Sequence, residues 1–245
     1  MQTPGWDAVI LAGGTSRRLR ADRSLAPGTL PLGTDKTDLR LAGRTLLEHV
    51  LDGCVGADRV AVVGPVRPVR LGWAGATAGA ARADSLLWCR ESPHGAGPLA
   101  AVAAGVLATG PEPGSTGSEF GSATDRAPAP IVVVLGGDMP FVGGAVPHLL
   151  AALTRKPQID ATALARSDGG HHPLALAVRR TAVTAALTRV GDPTGHPLRR
   201  LLSTLRVDAV ADDEDWALDV DDGDDLRAAS ARVNASTRKS QMMSP

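Results

Sequence analysis

The apolar run from Asp7 to Ala12, which leads directly into Gly13 and Gly14, constrains the fold of this chain most strongly. A short apolar run of this kind is typical of a buried strand, and the glycines that follow it predict a turn rather than a continuing strand. A strand that leads through a glycine turn towards a helix is the usual opening of a nucleotide-binding α/β fold. The start of the chain therefore indicates this class of fold.

Strand-like and helix-like patterns alternate along the rest of the chain. In the first half they predict a helix over 44–54, strands over 59–63 and 86–90, a helix over 99–108 and a strand over 131–135. In the second half they predict a helix over 145–154, strands over 160–165 and 174–178, helices over 180–189 and 197–205, a strand over 207–210 and a helix over 224–233. This alternation predicts one three-layer α/β/α Rossmann-like domain with a mainly parallel sheet. We expect it to span 1–231, with inserts at about 20–33 and 110–130 and a flexible tail over 232–245.

Composition and charge exclude several classes of partner. The charges of the 26 basic and 26 acidic side chains cancel, so the chain lacks the positive electrostatic field that attracts nucleic acids. Only 2% of the residues are aromatic, so it also lacks side chains on which bases could stack. The longest apolar runs, 99–108 and 131–135, are much shorter than the roughly 20 residues of a membrane-spanning helix. The first apolar run is also too short for a signal peptide. We therefore expect a cytoplasmic protein without a nucleic-acid or membrane partner.

The first chemical motif is Gly13-Gly14-Thr15-Ser16-Arg17-Arg18. Glycines allow backbone N–H groups to approach phosphate oxygens, and the two arginines can neutralise phosphate charge, so the motif suits a triphosphate. It matches neither GxGxxG nor GxxxxGK[ST], which disfavours dinucleotide oxidoreductases and P-loop enzymes. A glycine turn with two surface arginines remains the alternative interpretation.

The second motif places Asp138 after Gly136-Gly137, directly behind the most hydrophobic strand. Ligands bind at the carboxyl ends of the strands in open α/β sheets, and an aspartate there can hold Mg²⁺ against phosphates. The alternative is that Asp138 caps a helix. A cluster of carboxylates at 219–225 precedes the last predicted helix, where most of them are expected to cap that helix and interact with its dipole.

Together these residues resemble the molybdenum cofactor guanylyltransferases and their nucleotidyltransferase relatives, from Ala8 to about Ala229. The matching segments, in order, are LAGGTSRRL at 11–19, Asp35-Lys36 before LAGRTLLEHV at 41–50, Glu91 before GPLAAVAAGV at 97–106, VVVLGGDMPFV at 132–142, His172-Pro173, and DVDDGDDL at 219–226. The resemblance implies a fold of the nucleotide-diphospho-sugar transferase type.

The resemblance also implies roles for individual residues. Leu11, Ala12, Gly13, Gly14 and Lys36 are implied to bind the nucleotide. Glu91 and the turn of Gly97, Pro98 and Leu99 are implied to lie near its base. Mg²⁺ is expected as the cofactor, held by Asp138, with Asp221 as a second metal or phosphate contact. Lys36, Arg17, Arg18 and Asp138 form the expected catalytic set. The LAGG and GPLA segments favour GTP, because relatives that use cytidine nucleotides more often have LAAG.

The implied activity is transfer of GMP from GTP to the terminal phosphate of a molybdopterin-type cofactor, with release of pyrophosphate. Implied partners are GTP, that cofactor and molybdoenzyme-specific chaperones. Cytidylyl or guanylyl transfer to another phosphorylated acceptor, or an accessory protein with weakened catalysis, remain alternatives. Arg23 competes with Lys36 for the phosphate contact, and Gly64 replaces an asparagine that the family places after the second strand, which is expected to weaken one nucleotide contact.

Overall fold

The computed structural model describes residues 4–13, 35–72, 86–111 and 127–243, with side chains described up to residue 235 of the last helix. Gly14, Arg17, Arg18 and Arg23 lie outside the described residues, as do the first insert and most of the second.

A seven-stranded sheet forms the centre of the molecule. The structure describes nine strands, seven of which belong to this sheet. They are β1 (Trp6–Leu11), β2 (Arg40–Leu41), β3 (Arg44–Thr45), β4 (Val60–Val63), β5 (Leu86–Cys89), β6 (Ile131–Gly136), β7 (Ala161–Ala165), β8 (His171–Arg179) and β9 (Val207–Val210). The order in the large sheet is β5-β4-β1-β6-β8-β7-β9, whereas β2 and β3 form a separate antiparallel pair. Within the large sheet β8 alone runs antiparallel to its neighbours. The prediction of a mainly parallel sheet is confirmed.

Helices cover both faces of this sheet. They are α1 (Leu46–Asp52), α2 (Pro98–Ala108), α3 (Val146–Arg155), α4 (Arg180–Val190), α5 (Arg199–Leu202) and α6 (Gly223–Met243), with 3₁₀ turns at Lys36–Asp38 and Val142–Ala145. Successive side chains of a strand point to opposite faces, so Ile10 shares a core with α1 and α3, whereas Val9 shares one with α2 and α4. The three-layer architecture follows from this alternation. None of the described helices is both long and apolar enough to cross a membrane.

Helix α1 begins two residues later than the sequence pattern predicts. Thr45 is its N-cap: the Thr45 hydroxyl accepts a hydrogen bond from the Glu48 N–H at 3.1 Å, and the Glu48 carboxylate accepts one from the Thr45 N–H at 2.9 Å. This reciprocal pair fixes Thr45 in an extended conformation, so Arg44 belongs to the preceding strand.

Two elements of the second half differ in length from their predictions. Strand β8 begins at His171 rather than Leu174, because it continues to pair with β7 beyond an irregularity between Ala163 and Ala165. Helix α5 begins at Arg199 and ends at Leu202, because the backbone bonds that follow, from Thr204 to Leu201 and from Leu205 to Leu202, are of the 3₁₀ type.

The sequence predicts a flexible tail from residue 232, whereas α6 continues to Met243. No glycine or proline follows Gly223 until Pro245, so nothing in the sequence ends the helix once it has formed. Its apolar stripe of Leu226, Ala229 and Val233 packs on the cluster around Leu41 and Leu46, so the predicted tail begins while the helix is still packed.

The chain connections create a crevice at one edge of the sheet. The chain leaves β1 for β4 and β5 on one side, and later returns to β6 on the other side of β1. The carboxyl ends of β1 and β6 therefore flank a topological switch point, where open α/β sheets bind ligands. The Gly137 N–H donates to the Leu11 carbonyl at 2.9 Å, so the glycine segments after the two strands lie side by side.

Candidate functional site

Three charged side chains meet at the switch point. The Lys36 ammonium forms an ion pair with the Asp138 carboxylate and a second one with Asp221 Oδ1 at 2.7 Å. Lys36 and Asp221 are 185 residues apart in the chain. Lys36 and Asp138 are largely buried, with 17% and 13% of their side chains exposed, and Asp221 is more accessible at 34%. The cluster brings together three of the residues that the sequence analysis selected.

Local structure explains how the two carboxylates reach the same point. Asp138 follows β6 after Gly137, where a Cβ atom would lie only 2.8 Å from the Leu11 carbonyl oxygen, so a glycine permits the close approach of the two strand ends. The Val220 N–H then donates to the Asp138 carbonyl at 3.0 Å and holds the closing segment against β6. Asp221 comes next in sequence and therefore enters the same crevice.

The neighbouring Asp222 serves the helix instead. Its carboxylate accepts hydrogen bonds from the N–H groups of Asp224 at 2.9 Å and Asp225 at 3.0 Å, at the start of α6. This agrees with the expected capping role for most of this acidic cluster.

Burial and neighbouring charges shift the pKa values of Lys36 and Asp219 in this site. Desolvation lowers the pKa of Lys36, but the carboxylates of Asp138 and Asp221 outweigh it and leave the pKa above its ordinary value. The ammonium is therefore charged at neutral pH. Desolvation raises the pKa of Asp219, and the nearby carboxylates of Asp221 and Asp138 raise it further. Within the described part of the site, the carboxylates of Asp138, Asp219 and Asp221 surround the single ammonium of Lys36, which favours a further cation.

The donor set fits a magnesium ion that is shared with phosphates. Asp138 and Asp221 converge on a single cation, the Lys36 ammonium, so their oxygens already point to a common position. Among the described residues no group of three or more His, Cys, Asp or Glu side chains forms a complete cation cage. Mg²⁺ in nucleotide enzymes usually takes one or two carboxylates plus substrate phosphates, so two carboxylates are sufficient.

The turn that carries Lys36 is held by its neighbours. The Asp35 carboxylate accepts from the Thr37 N–H at 3.0 Å and caps the short 3₁₀ helix. Desolvation raises the pKa of Asp35, although the Thr37 N–H and the Arg67 guanidinium oppose this. Arg67, on the segment after β4, donates to the Thr37 hydroxyl and to the Asp38 carboxylate, each at 2.8 Å.

A cavity of about 390 Å³ opens beside Asp138, on the side of β6 away from β1. It is lined by Asp138, Met139, Arg166, Ser167, His172, Pro173, Leu174 and Asp219. His172 lines it together with the next two residues of β8, and His171 does not. Desolvation and the Arg166 guanidinium lower the pKa of His172, so its imidazole is neutral at pH 7. The cavity presents polar groups next to the carboxylate cluster.

The predicted phosphate loop is only partly within the described residues. Leu11 ends β1, and Ala12 and Gly13 follow it at the switch point, where the Ala12 N–H donates to the Val63 carbonyl at 2.8 Å. Gly64 packs against this segment, since a Cβ there would overlap the Ala12 carbonyl. Gly64 thus has a steric role that the sequence analysis did not foresee. Gly14, Arg17 and Arg18 continue outside the described residues.

The predicted base-side residues lie at the same edge, beyond β4. Glu91 follows β5, and its carboxylate accepts from the Gly95 N–H at 3.0 Å. Gly97 precedes α2 with φ +96°, a conformation that favours glycine, and Pro98 opens the helix. The Leu99 side chain is fully buried in the core between α2 and the sheet, so its predicted nucleotide contact would be made by its backbone.

Sequence reasoning missed several residues of this region. Arg67, Arg166 and Ser167 carry no motif signal, because their positions depend on which strand ends are neighbours. His172 was singled out only through its resemblance to a His-Pro strand. No pattern within one segment could have identified the other three.

Comparisons with known proteins show the family and the fold. Residues 8–210 match a family described as the MobA-like NTP transferase domain. No match was found among curated proteins.

Solved structures share the fold. Molybdopterin-guanine dinucleotide biosynthesis protein A from Archaeoglobus fulgidus is 21% identical, with TM-score 0.58 over 94% of this chain and 99% of that chain. A nucleotidyl transferase from a Methanothermobacter species is 21% identical, with TM-score 0.59 over 94% and 99%. The 2-C-methyl-D-erythritol 4-phosphate cytidylyltransferase from Thermus thermophilus is 18% identical, with TM-score 0.55 over 95% and 100%. At these identities the likeness shows the fold, which is of the expected nucleotide-diphospho-sugar transferase type.

Proposed function

The chain belongs to the family of MobA-like NTP transferase domains, and on that premise we propose that it transfers GMP from GTP to the terminal phosphate of a molybdopterin-type cofactor. The observation that carries the proposal is the cluster of Lys36, Asp138 and Asp221 at the switch point between β1 and β6. A buried cation between two carboxylates, beside two glycine segments, suits a substrate with a triphosphate and a metal ion.

In the proposed reaction an oxygen of the acceptor phosphate attacks the α-phosphorus of GTP in line. A new phosphorus–oxygen bond forms, the bond to the β-phosphate breaks, and pyrophosphate leaves with the bonding electrons. An ionised phosphate already has a free electron pair, so no side chain has to remove a proton. The protein therefore contributes positioning and charge neutralisation.

Lys36 supplies the charge neutralisation within the described residues. Its raised pKa keeps the ammonium protonated, and its place at the start of the 3₁₀ turn, whose Thr37 lies against Gly137, brings it next to Asp138. When triphosphate oxygens enter, they can replace Asp221 as partners of the ammonium. Arg17 and Arg18 are proposed to assist from the loop after Gly13, and Arg23 remains the competing phosphate contact.

Asp138 and Asp221 are proposed to hold Mg²⁺. When bound, Mg²⁺ withdraws charge from the phosphate oxygens and orients the triphosphate. Asp138 fits this role because its backbone is fixed by β6 and by Val220. Asp221 is more exposed and follows Val220 directly, so it is proposed as the weaker ligand.

The cavity beside Asp138 is proposed to take the acceptor. It lies next to the carboxylate cluster, on the other side of β6 from the predicted base-side residues. Arg166 and Ser167 offer donors to an acceptor phosphate, and the neutral His172 imidazole can donate or accept one hydrogen bond without adding charge. An acceptor in this cavity would approach the nucleotide from the opposite side of Asp138.

Guanine as the base is supported by the LAGG and GPLA segments, and the name of the Archaeoglobus structure agrees with it. Cytidylyl transfer to a phosphorylated acceptor is the second candidate, because the Thermus cytidylyltransferase has a closely similar TM-score. Molybdoenzyme-specific chaperones are proposed as later partners of the product.

Calorimetry with GTP, CTP, ATP and UTP in the presence of Mg²⁺ tests the base. We expect GTP to bind most tightly, and tighter binding of CTP would contradict the proposal. Pyrophosphate release is then measured with GTP and a molybdopterin-type acceptor, and with CTP and methylerythritol phosphate as the matched alternative. Release with only the second acceptor would favour the cytidylyl function, and binding without release with either would indicate an accessory protein.

A further inference from the structure

Arg67 makes an unusual set of contacts beside the site. Its side chain is only 11% exposed. Nη2 donates to the Ala12 carbonyl at 2.7 Å, at the end of β1. Nη1 donates to the Thr37 hydroxyl and to Asp38 Oδ1, both at 2.8 Å, on the turn that carries Lys36. One side chain thus connects the start of the predicted phosphate loop with the Lys36 turn.

The guanidinium of Arg67 makes one further hydrogen bond and one further ion pair. Nε donates to the Pro65 carbonyl at 3.2 Å, and Nη2 lies 3.6 Å from Asp35 Oδ2. A guanidinium has five N–H donors in a planar fork, and every nitrogen of Arg67 faces an acceptor of the protein. Arg67 is therefore committed to the protein and not available to a substrate.

Arg67 can reach these acceptors because the strand ends are so close. Gly64 has no Cβ that would overlap the Ala12 carbonyl, so the segment after β4 packs directly on the end of β1. The planar fork then spans the gap to Thr37 and Asp38. A lysine carries its charge at one point and cannot reach acceptors on three segments at the same time.

We propose that Arg67 is a positioning residue, which fixes the Lys36 turn against the end of β1 and so sets where the Lys36 ammonium meets the triphosphate. This inference rests on the proposed nucleotidyl transfer. Arg67 acts through Thr37, Asp38 and Ala12 and does not touch the reacting atoms. Lys36 in turn depends on Arg67 for its register with Asp138.

The test compares Arg67→Lys and Arg67→Ala with a matched control. Displacing a catalytic group by about 1 Å can cost about 100-fold in rate, so we expect kcat for pyrophosphate release to fall about 10- to 100-fold in both variants. The KM of the acceptor should stay within about twofold of wild type, because the acceptor cavity lies beyond β6. Arg70→Lys is the control, since Arg70 lies on the same segment as Arg67, is 65% exposed and pairs with Glu48 of α1.

Chemical rescue separates positioning from general stability. Guanidinium ion at a non-denaturing concentration should restore part of kcat to Arg67→Ala, whereas methylammonium should not, because it lacks the fork. A folded Arg67→Lys variant that keeps kcat within about twofold of wild type would overturn the proposal. So would equal restoration of Arg67→Ala by both ions.

Hydrogen–deuterium exchange of the wild-type and Arg67→Ala proteins gives a readout that needs no turnover. We expect faster exchange of the N–H groups of Asp38 and Leu39, which close the 3₁₀ turn, and unchanged exchange in β8. If wild type releases no pyrophosphate with any nucleotide, the proposed function fails, and exchange alone decides the role of Arg67. Unchanged exchange at the turn would then overturn it.

Discussion

Asp138 is the single residue whose loss should cost most activity. Its side chain is 13% exposed and its backbone is anchored by β6 and Val220, whereas Asp221 is 34% exposed and has Asp219 nearby. We expect Asp138→Asn to lower kcat by about two to four orders of magnitude, and Asp221→Asn to cost less.

The measurement is single-turnover pyrophosphate release across a Mg²⁺ titration, with circular dichroism to confirm folding. Asp208→Asn is the control, because Asp208 lies on the far edge strand β9 and pairs with Lys156 at the end of α3. A folded Asp138→Asn protein that keeps more than about a tenth of wild-type turnover at saturating Mg²⁺ has lost less than about 1.4 kcal/mol, which would make the metal assignment wrong.

Helix α2 packs on the sheet through Gly105, and this contact gives a prediction at the scale of elements. A Cβ atom at Gly105 would overlap the Val9 side chain and lie 3.1 Å from Val63 Cγ2. In an exposed helix Gly→Ala stabilises by up to about 1 kcal/mol. Here we expect Gly105→Ala to lower the free energy of unfolding by about 1 to 3 kcal/mol, because overpacking outweighs helix propensity.

Urea unfolding measures this change. Val9→Ala removes the atoms that the new methyl group would meet, so the double variant should lose less than the sum of the two single losses. Stabilisation by Gly105→Ala alone would show that α2 can move away from β1 at little cost.

At the scale of the whole molecule, nucleotide binding should stabilise the fold. The proposed site joins the ends of β1, β4 and β6 to the Lys36 turn and the closing segment, and none of these is assembled in the unfolded chain. GTP with Mg²⁺ at about 100 times Kd should add about 2.7 kcal/mol, which for a chain of this length is a rise in Tm of roughly 5 to 10 °C.

Differential scanning fluorimetry checks this rise, with Mg²⁺ alone and CTP with Mg²⁺ as controls. Asp138→Asn removes one of the two carboxylates that pair with Lys36, so its shift is measured from its own Tm without ligand. We expect it to lose most of the Mg²⁺-dependent part of that shift. A larger rise with CTP than with GTP would contradict the proposed base.

The sequence by itself determined most of the elements and the edge of the sheet that carries the motifs. Hydrophobic periodicity is local, so β1, β4, β6 and α2 were predicted within one or two residues at each end. Asp138 was found because a carboxylate after a wholly apolar strand must lie at the carboxyl edge. Element ends governed by capping, such as Thr45, or by strand pairing, such as His171, were predicted less well.

Only the tertiary structure decided which distant residues meet. Asp7 lies in an apolar strand, and nothing nearby in sequence indicates that it pairs with Arg180, 173 residues away. Lys36 and Asp221 meet, and Arg67 bridges Ala12 and Thr37, because β1 lies between β4 and β6 in the sheet. Strand order is a property of the folded chain, since each long-range pair forms only when the packing of the layers has brought its two segments together.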